Sequence, residues 1–298
     1  MRIAIAGSSG FLGSHLVRRL RGDGHQVVRL VRRPSQGADE IRWDPAAGAL
    51  DPAVLSTVDA AINLAGAGVA DKRWSDRYRR VLRDSRVDTT STLARAIAAA
   101  NPRPAVLLNA SGVGFYGDTG DRLVDEESPS GEGFLADLCR VWEAATGPAE
   151  EAGVRVVRMR TGLPLDRTGG LLKPMLLPFR FGVAGRLGDG RQYWPWISMP
   201  DWLGAVRFLL DHPDLAGPVN LSGPDPVTNS EFTRVLAALL HRPALIAVPR
   251  LALRIALGEF AGETVVSQRV LPKALIAAGY TFQHPDLATA LDWALHHP

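Results

Sequence analysis

Three glycines at three-residue spacing carry the first chemistry in the chain: Gly7-Ser8-Ser9-Gly10-Phe11-Leu12-Gly13, directly behind the apolar run Arg2–Ala6. Apolar residues at helical spacing follow through Leu16, Val17 and Leu20, until Gly22-Asp23-Gly24 stops them. A strand, a tight turn and a helix in that order leave the first backbone N–H groups of the helix without partners, an arrangement suited to a pyrophosphate. Gly7 permits the turn, Gly10 lets a ligand approach the backbone, and Gly13 lets helix and strand pack closely. Ser8, Ser9, Phe11 and Leu12 complete this candidate cofactor-binding turn.

The next informative pair is Arg32-Arg33, at the end of a second strand over Gln26–Val31. A site for NAD usually has a carboxylate about twenty residues past the glycine turn, bonded to the ribose 2′-hydroxyl. This chain offers two guanidinium groups there and no acid until Asp39. Arginine binds a 2′-phosphate bidentately, whereas a carboxylate repels it. At about 1.5–3 kcal/mol per charge-assisted bond, one or two such bonds favour NADP by tens to hundreds of fold. The alternative for the pair is a solvated strand end. A third short strand over residues 41–45 would set Trp43 beside an adenine.

The elements that must position these groups alternate along the chain. A strand at residues 59–64 runs into Ala65-Gly66-Ala67-Gly68, where small residues let a cofactor lie against the backbone. Asn63, Leu64, Ala65 and Gly66 therefore join the candidate set. A helix over residues 77–100 leads to a buried strand at 105–110, with Ser111-Gly112-Val113-Gly114-Phe115-Tyr116-Gly117 at its C-terminal end. A further helix from Phe134 to about Gly153 precedes a strand at 154–159, which empties into Arg160-Thr161-Gly162. This alternation predicts an α/β fold, a Rossmann-type doubly wound parallel sheet with ligands at the strand C-terminal ends. Residues 1–164 are expected to form the nucleotide-binding domain and 165–298 a smaller substrate domain, with 197–222 returning to the first.

Other groups have two readings each. Tyr116 would serve as an acid, stack on a nicotinamide, or simply wall the site. Lys72 and Arg73 would neutralise an anionic substrate or form a solvated loop pair. Arg186, Arg191, Gln192, Trp194 and Trp196 suit a nucleotide or phosphate-bearing substrate, or packing between lobes. No histidines stand at ligand spacing, so no metal is expected. In 298 residues the net charge is +3 and no basic cluster is dense, which argues against nucleic acid. The lone cysteine, Cys139, and the lack of any long apolar run point to a cytoplasmic protein without a membrane span.

Several runs extend the glycine turn into a resemblance. Asn63-Leu64-Ala65-Gly66 with Lys72-Arg73-Trp74, Ser111 to Asp118, Trp142-Glu143, Arg160-Thr161-Gly162, Gly190-Arg191-Gln192 with Trp196-Ile197, Gly223 to Asn229 and the tail 271–282 resemble the YfcH-like epimerase family. That family is an atypical branch of the extended short-chain dehydrogenase/reductase superfamily. The resemblance covers essentially the whole chain and implies an NADP-binding Rossmann domain with a small C-terminal domain; it does not supply the small-molecule substrate. Some members carry a cell-division-inhibitor label.

Active members of the superfamily use a serine, and a tyrosine with a lysine four residues later on one helix face. Here the corresponding helix presents Phe134 or Leu135, then Leu138 or Cys139. Ser111 survives, although Gly112 aligns with the usual serine. The expectation is an NADP-dependent oxidoreductase or epimerase on a small carbonyl or sugar-nucleotide-like compound, with Ser111 and Tyr116 as catalytic candidates. The alternative is an NADP-binding sensor with little turnover. The apolar stripe Leu135, Leu138, Cys139, Val141, Trp142 and Ala145 predicts that the helix packs on a neighbour, with a homodimer as one form of that neighbour.

Overall fold

A computed structural model describes residues 1–297, without the side chains of Ala256 and Leu257. Seven strands form one parallel sheet: β1 (Arg2–Ala6), β2 (Gln26–Val31), β3 (Glu40–Arg42), β4 (Ala60–Asn63), β5 (Val106–Gly112), β6 (Arg155–Thr161) and β7 (Gly217–Leu221). Their order across the sheet is β7-β6-β5-β4-β1-β2-β3, so the direction of winding reverses between β1 and β4. In an open α/β sheet that reversal leaves a crevice at the strand C-terminal ends.

Both faces are covered, which is why the strands are apolar nearly throughout. On one face α1 (Phe11–Gly22) buries Leu16, Val17 and Leu20 beside Trp202 and Leu209. On the other, α2 (Asp76–Ala99) buries Leu93 and Ile97 against Ala61 and Leu107. Ser75 caps α2 by accepting from the Tyr78 N–H. The third helix, α3 (Phe134–Ala144), lies over the end of β5.

The expected long helix after Phe134 is in fact two, because α3 ends at Ala144 and a short helix restarts at Gly147–Glu151 with Pro148 in its first turn. The β5 strand runs two residues further than its apolar stretch, so Ser111 stands within it, and Val113–Tyr116 winds as a 3-10 turn. Proline-interrupted residues also form α4 (Leu172–Arg180), with Pro174 in its first turn and Pro178 near its end.

The chain crosses between its two parts more than once. After α4, α5 (Met199–Asp211) packs on the α1 face of the sheet, and Gly217–Leu221 becomes its edge strand. A separate core joins α4, α6 (Asn229–Leu239) and α8 (Leu287–His296) through Trp194, Trp196, Phe232 and Leu291. In the chain, α7 (Arg250–Leu257) comes between α6 and α8, outside this core. The tail is fastened to α5 by Asp201, which is fully buried and accepts from the N–H groups of Gln283 and His284.

Candidate functional site

The glycine turn has the geometry its spacing demands. Gly7 has a φ of +77°, and a Cβ there would lie 2.5 Å from the carbonyl carbon of Leu64 at the end of β4. A Cβ on Gly13 would meet the Gly7 oxygen at 2.1 Å. Both positions exclude any other residue for reasons internal to the fold. Gly10 differs: it is exposed, and a Cβ would find only the Gly7 oxygen, at 3.3 Å. It is the N-cap of α1 and supplies no capping side chain, so the first N–H groups of the helix have no intrahelical acceptor. Those donors, with the positive end of the helix dipole, fit a pyrophosphate. Ser8 and Ser9 stand at the surface of the turn, whereas Phe11 turns its ring under Gly169 and Gly170.

The two arginines beyond β2 part company. Arg33 is clamped by Glu40 through two hydrogen bonds of 2.6 and 2.7 Å. Arg29 reaches the same carboxylate at 2.8 Å. The hydrogen bonds from Arg33 and from the Gln36 N–H hold the Glu40 carboxyl down at about 2. Arg32 is exposed and has no side-chain partner among the described residues. The acid that separates these two arginines is Glu40, next to Asp39, which the parallel register sets opposite Arg29.

Several other expected contacts are corrected by burial. Trp43 does not border a ligand: it is 3% exposed and packed with Leu30, Leu55 and Leu93. Asn63 is fully buried, donating to Thr90 and Asn109 at 2.9 and 2.8 Å and accepting from the Ala65 N–H. Its amide shapes the bend after β4 from within, leaving the backbone of Leu64, Ala65 and Gly66 as the surface at that strand end. Gly162 is a glycine because a Cβ would lie 2.0 Å from the Pro195 carbonyl oxygen, and Thr161 accepts from the Trp202 indole. Both serve the joint between the two parts of the chain.

The largest correction concerns Ser111, Tyr116 and Arg160. Ser111 donates to Glu143 on α3 at 2.7 Å. Arg160, 4% exposed, grips that carboxylate through Nε and Nη2 at 2.8 and 2.9 Å. Burial works against the arginine's charge, but Glu143 raises its pKa. Its remaining Nη1 donates to the Tyr116 hydroxyl at 3.0 Å, and that hydroxyl donates to Asn220 on β7 at 2.8 Å. The Phe115 ring covers the guanidinium at 3.4 Å. Burial pushes the Tyr116 pKa up to about 12, which makes it a poor proton donor near neutrality. Tyr116 and Arg160 are thus interior members of a closed network, not groups facing a ligand. Glu143 and Asn220 were not singled out from the sequence, although Glu143 stands in one of the runs that carry the family resemblance.

Gly112 at the end of β5 and Gly114 in the 3-10 turn face Leu135 and Cys139 of α3. A Cβ on Gly114 would sit 3.1 Å from Leu135 Cβ, and one on Gly112 would sit 3.8 Å from Cys139 Sγ. Leu135 and Cys139 therefore occupy the face where a tyrosine and a lysine would be needed. Burial lifts the Cys139 thiol to about 11. Leu135 and Leu138 of the apolar stripe pack within the chain on Tyr78, Leu82 and Trp74, whereas Val141 is exposed.

The substrate candidates divide in the same way. Trp196 is 1% exposed, donates to the Asp225 carbonyl and underlies Gly223, so it is core. Gln192 is buried and donates to the Leu187 carbonyl. Arg73 donates to the Ile255 carbonyl, tying the loop after β4 to α7. Lys72 and Arg191 are exposed. Among the described residues no cluster suits a metal, and no helix is long and apolar enough to cross a membrane.

A doubly wound sheet with a glycine turn at its reversal defines a Rossmann-type nucleotide-binding protein, and its relatives set it in the extended short-chain dehydrogenase/reductase superfamily. The comparisons make this specific: the chain belongs to the epimerase family, with a C-terminal DUF1731 domain. The model described as the NAD dependent epimerase/dehydratase family matches residues 3–136, and the domain of unknown function DUF1731 matches residues 248–294. Epimerase family protein Mb2239 of Mycobacterium bovis is 47% identical, over 99% of this chain and 98% of that one. The crystal structure of human epimerase family protein SDR39U1, isoform 2, with NADPH superposes with a TM-score of 0.91 at 34% identity, over 99% of this chain and 100% of that one. A nucleoside-diphosphate sugar epimerase from Corynebacterium glutamicum gives 0.83 at 33% identity, over 99% of this chain and 58% of its own.

Proposed function

We propose that this protein binds NADP(H) across the C-terminal edge of the sheet and uses it on a small carbonyl or sugar-nucleotide-like compound, as an oxidoreductase or epimerase. The observation that carries the reading is the glycine turn: uncapped N–H groups at the start of α1 suit a pyrophosphate, while Arg32 stands free for a 2′-phosphate. The NADPH in the human relative's structure supports the same assignment. When bound, the nicotinamide would supply or accept hydride. Arg33 neutralises Glu40, which would otherwise repel the 2′-phosphate. The lone buried Cys139 suits a reducing, cytoplasmic setting.

Titration of tryptophan fluorescence with NADPH and NADH is the direct test. NADPH should bind at least about tenfold more tightly, and Arg32→Ala should remove most of that preference. Arg33→Ala should weaken NADPH less, by releasing the Glu40 charge. Equal affinity for both cofactors, or an Arg32→Ala/Arg33→Ala double variant with its preference intact, would sink the assignment.

A sensor with little turnover is the second reading. It is favoured by Leu135 and Cys139 on the helix face and by Ser111 being held to Glu143. Incubation with NADPH deuterated at C4 and a panel of carbonyls and sugar nucleotides separates the two. Deuterium in a product supports the oxidoreductase, and conversion of a sugar nucleotide to its epimer with NADP+ in place of NADPH supports the epimerase; tight binding with neither supports the sensor.

A further inference from the structure

The described residues contain one deeply buried guanidinium with no acid to answer it. Arg86, on α2, is 9% exposed, and its only hydrogen bond goes from Nη1 to the Leu82 carbonyl of its own helix, at 3.0 Å. The guanidinium lies over the Trp142 ring, 4.9 Å from its centroid. Among the described residues no carboxylate pairs with it. The groups that act on its charge are Cys139, Tyr78 and Asp71. Cys139 and Tyr78 stay neutral near pH 7, and Asp71 is exposed and accepts from the Gly68 N–H. Burial lowers the arginine's pKa, yet arginine remains charged. The contrast with Arg160, equally buried and gripped by Glu143, shows what this fold does when a buried arginine is purely structural.

Its location gives the missing charge a meaning. The guanidinium rests on Gly66, an exposed residue just beyond β4, where a Cβ would lie 3.3 Å from Arg86 Cζ. Trp142 and Cys139 come from α3, the helix that lacks the tyrosine and lysine. Arg86 therefore fills the space between Gly66 at the end of β4 and Trp142 on α3, with two guanidinium nitrogens, Nε and Nη2, uncommitted among the described residues. A planar fork with free N–H groups is matched by a carboxylate or phosphate oxyanion.

We propose that Arg86 is a substrate-binding residue that holds an oxyanion of the substrate, a carboxylate or phosphate, beside Gly66 in the crevice at the strand C-terminal ends. This rests on the reading that the same crevice receives the nicotinamide end of NADP(H). An anionic substrate fixed there would be oriented by the fork and would complete the charge balance of the buried arginine.

The test uses the full chain at constant ionic strength, titrated with acetate, oxalate and inorganic phosphate, with and without NADPH, and read by tryptophan fluorescence. At least one anion should give a saturable change in the wild type. That affinity should fall by about tenfold or more in Arg86→Gln and by less in Arg86→Lys. NADPH affinity should stay within about twofold in both variants. A wild type blind to every anion, or an Arg86→Gln variant responding like the wild type, overturns the proposal. So does a parallel loss of NADPH binding in Arg86→Gln, which would make Arg86 a cofactor residue. If Arg86→Gln does not fold, Arg86→Lys decides: unchanged anion affinity overturns the proposal and weakened affinity supports it. A wild type that binds anions through Arg86 but no NADPH overturns the cofactor reading alone.

Discussion

At the end of β1 the polar groups are backbone donors without partners, whereas at the ends of β5 and β6 every polar side chain is answered by another. Gly10 exposes the start of α1, and nothing in the first turn caps it. Ser111, Glu143, Arg160, Tyr116 and Asn220 instead close on themselves, across two helical segments and three strands. The two regions lie on the same edge of one sheet and both carry motif residues. One is built to accept a ligand and the other to hold the fold, so residue type at a strand end does not decide which is which.

The comparison breaks most sharply at the glycines. Gly13→Val would drive a side chain into the Gly7 carbonyl, which is backbone and cannot step aside. The loss should exceed the about 4–5 kcal/mol that marks exceptional substitutions, and urea unfolding should lose its cooperative transition. Gly10→Ala should do the opposite: its unfolding curve should stay near wild type while NADPH binding weakens, because its Cβ meets only the Gly7 oxygen, at 3.3 Å, and otherwise enters the ligand's space. Equal damage to stability from both substitutions would show that the open face at Gly10 is not a binding surface.

The closed network should respond in stability and not in binding. Glu143→Ala strands the buried Arg160 guanidinium and the Ser111 hydroxyl, and breaking a buried ion pair on one side costs about 3–5 kcal/mol. Chemical denaturation should show that loss while NADPH affinity is kept in the folded fraction. A variant with full stability and impaired NADPH binding would move Glu143 from the scaffold into the cofactor site.

What the residues disclosed in advance follows the same division. The sheet, its helices and the glycine turn were legible because their causes are local: apolar period, positive φ, and the room a glycine leaves. The seven-strand order follows the expected winding, and the structural match to the human family member agrees with it. The roles of Trp43, Asn63 and Arg160 were not legible, and for Tyr116 and Trp196 a structural role was only one of the readings the residue types left open. Each depends on a partner far along the chain: Asn220 is 104 residues from Tyr116, and Asp225 is 29 from Trp196. Arg32 and Arg33 looked equivalent until the β2–β3 register brought Glu40 to one of them. Arg86 was hidden for the converse reason, since a missing counter-charge has no sequence signature.

The smallest expected effect concerns Cys139, which sits on the boundary between the two regions. It is 5% exposed, its thiol contacts the Gly112 carbonyl at 3.5 Å, and burial together with the nearby Glu143 charge lifts its pKa to about 11 from an ordinary value near 9. An acid whose folded pKa is raised favours the folded state while protonated. Its contribution is complete below the unfolded value and is lost as pH rises through the folded one. Between about pH 9 and 11 the unfolded chain releases the thiol proton first, so wild-type stability should fall with an added slope of at most about 1.4 kcal/mol per pH unit. Cys139→Ala removes that proton from both states. The variant should be about 1 kcal/mol less stable at neutral pH, through the lost packing of the sulfur. That deficit should shrink steadily above pH 9, when both proteins are unfolded by urea across the range. Tyr116, which titrates higher still, is common to both chains and cancels in the difference. A constant gap through pH 10.5, or rapid labelling of the native thiol at pH 8 that NADPH slows, would mean that Cys139 faces the ligand crevice and belongs with the open region.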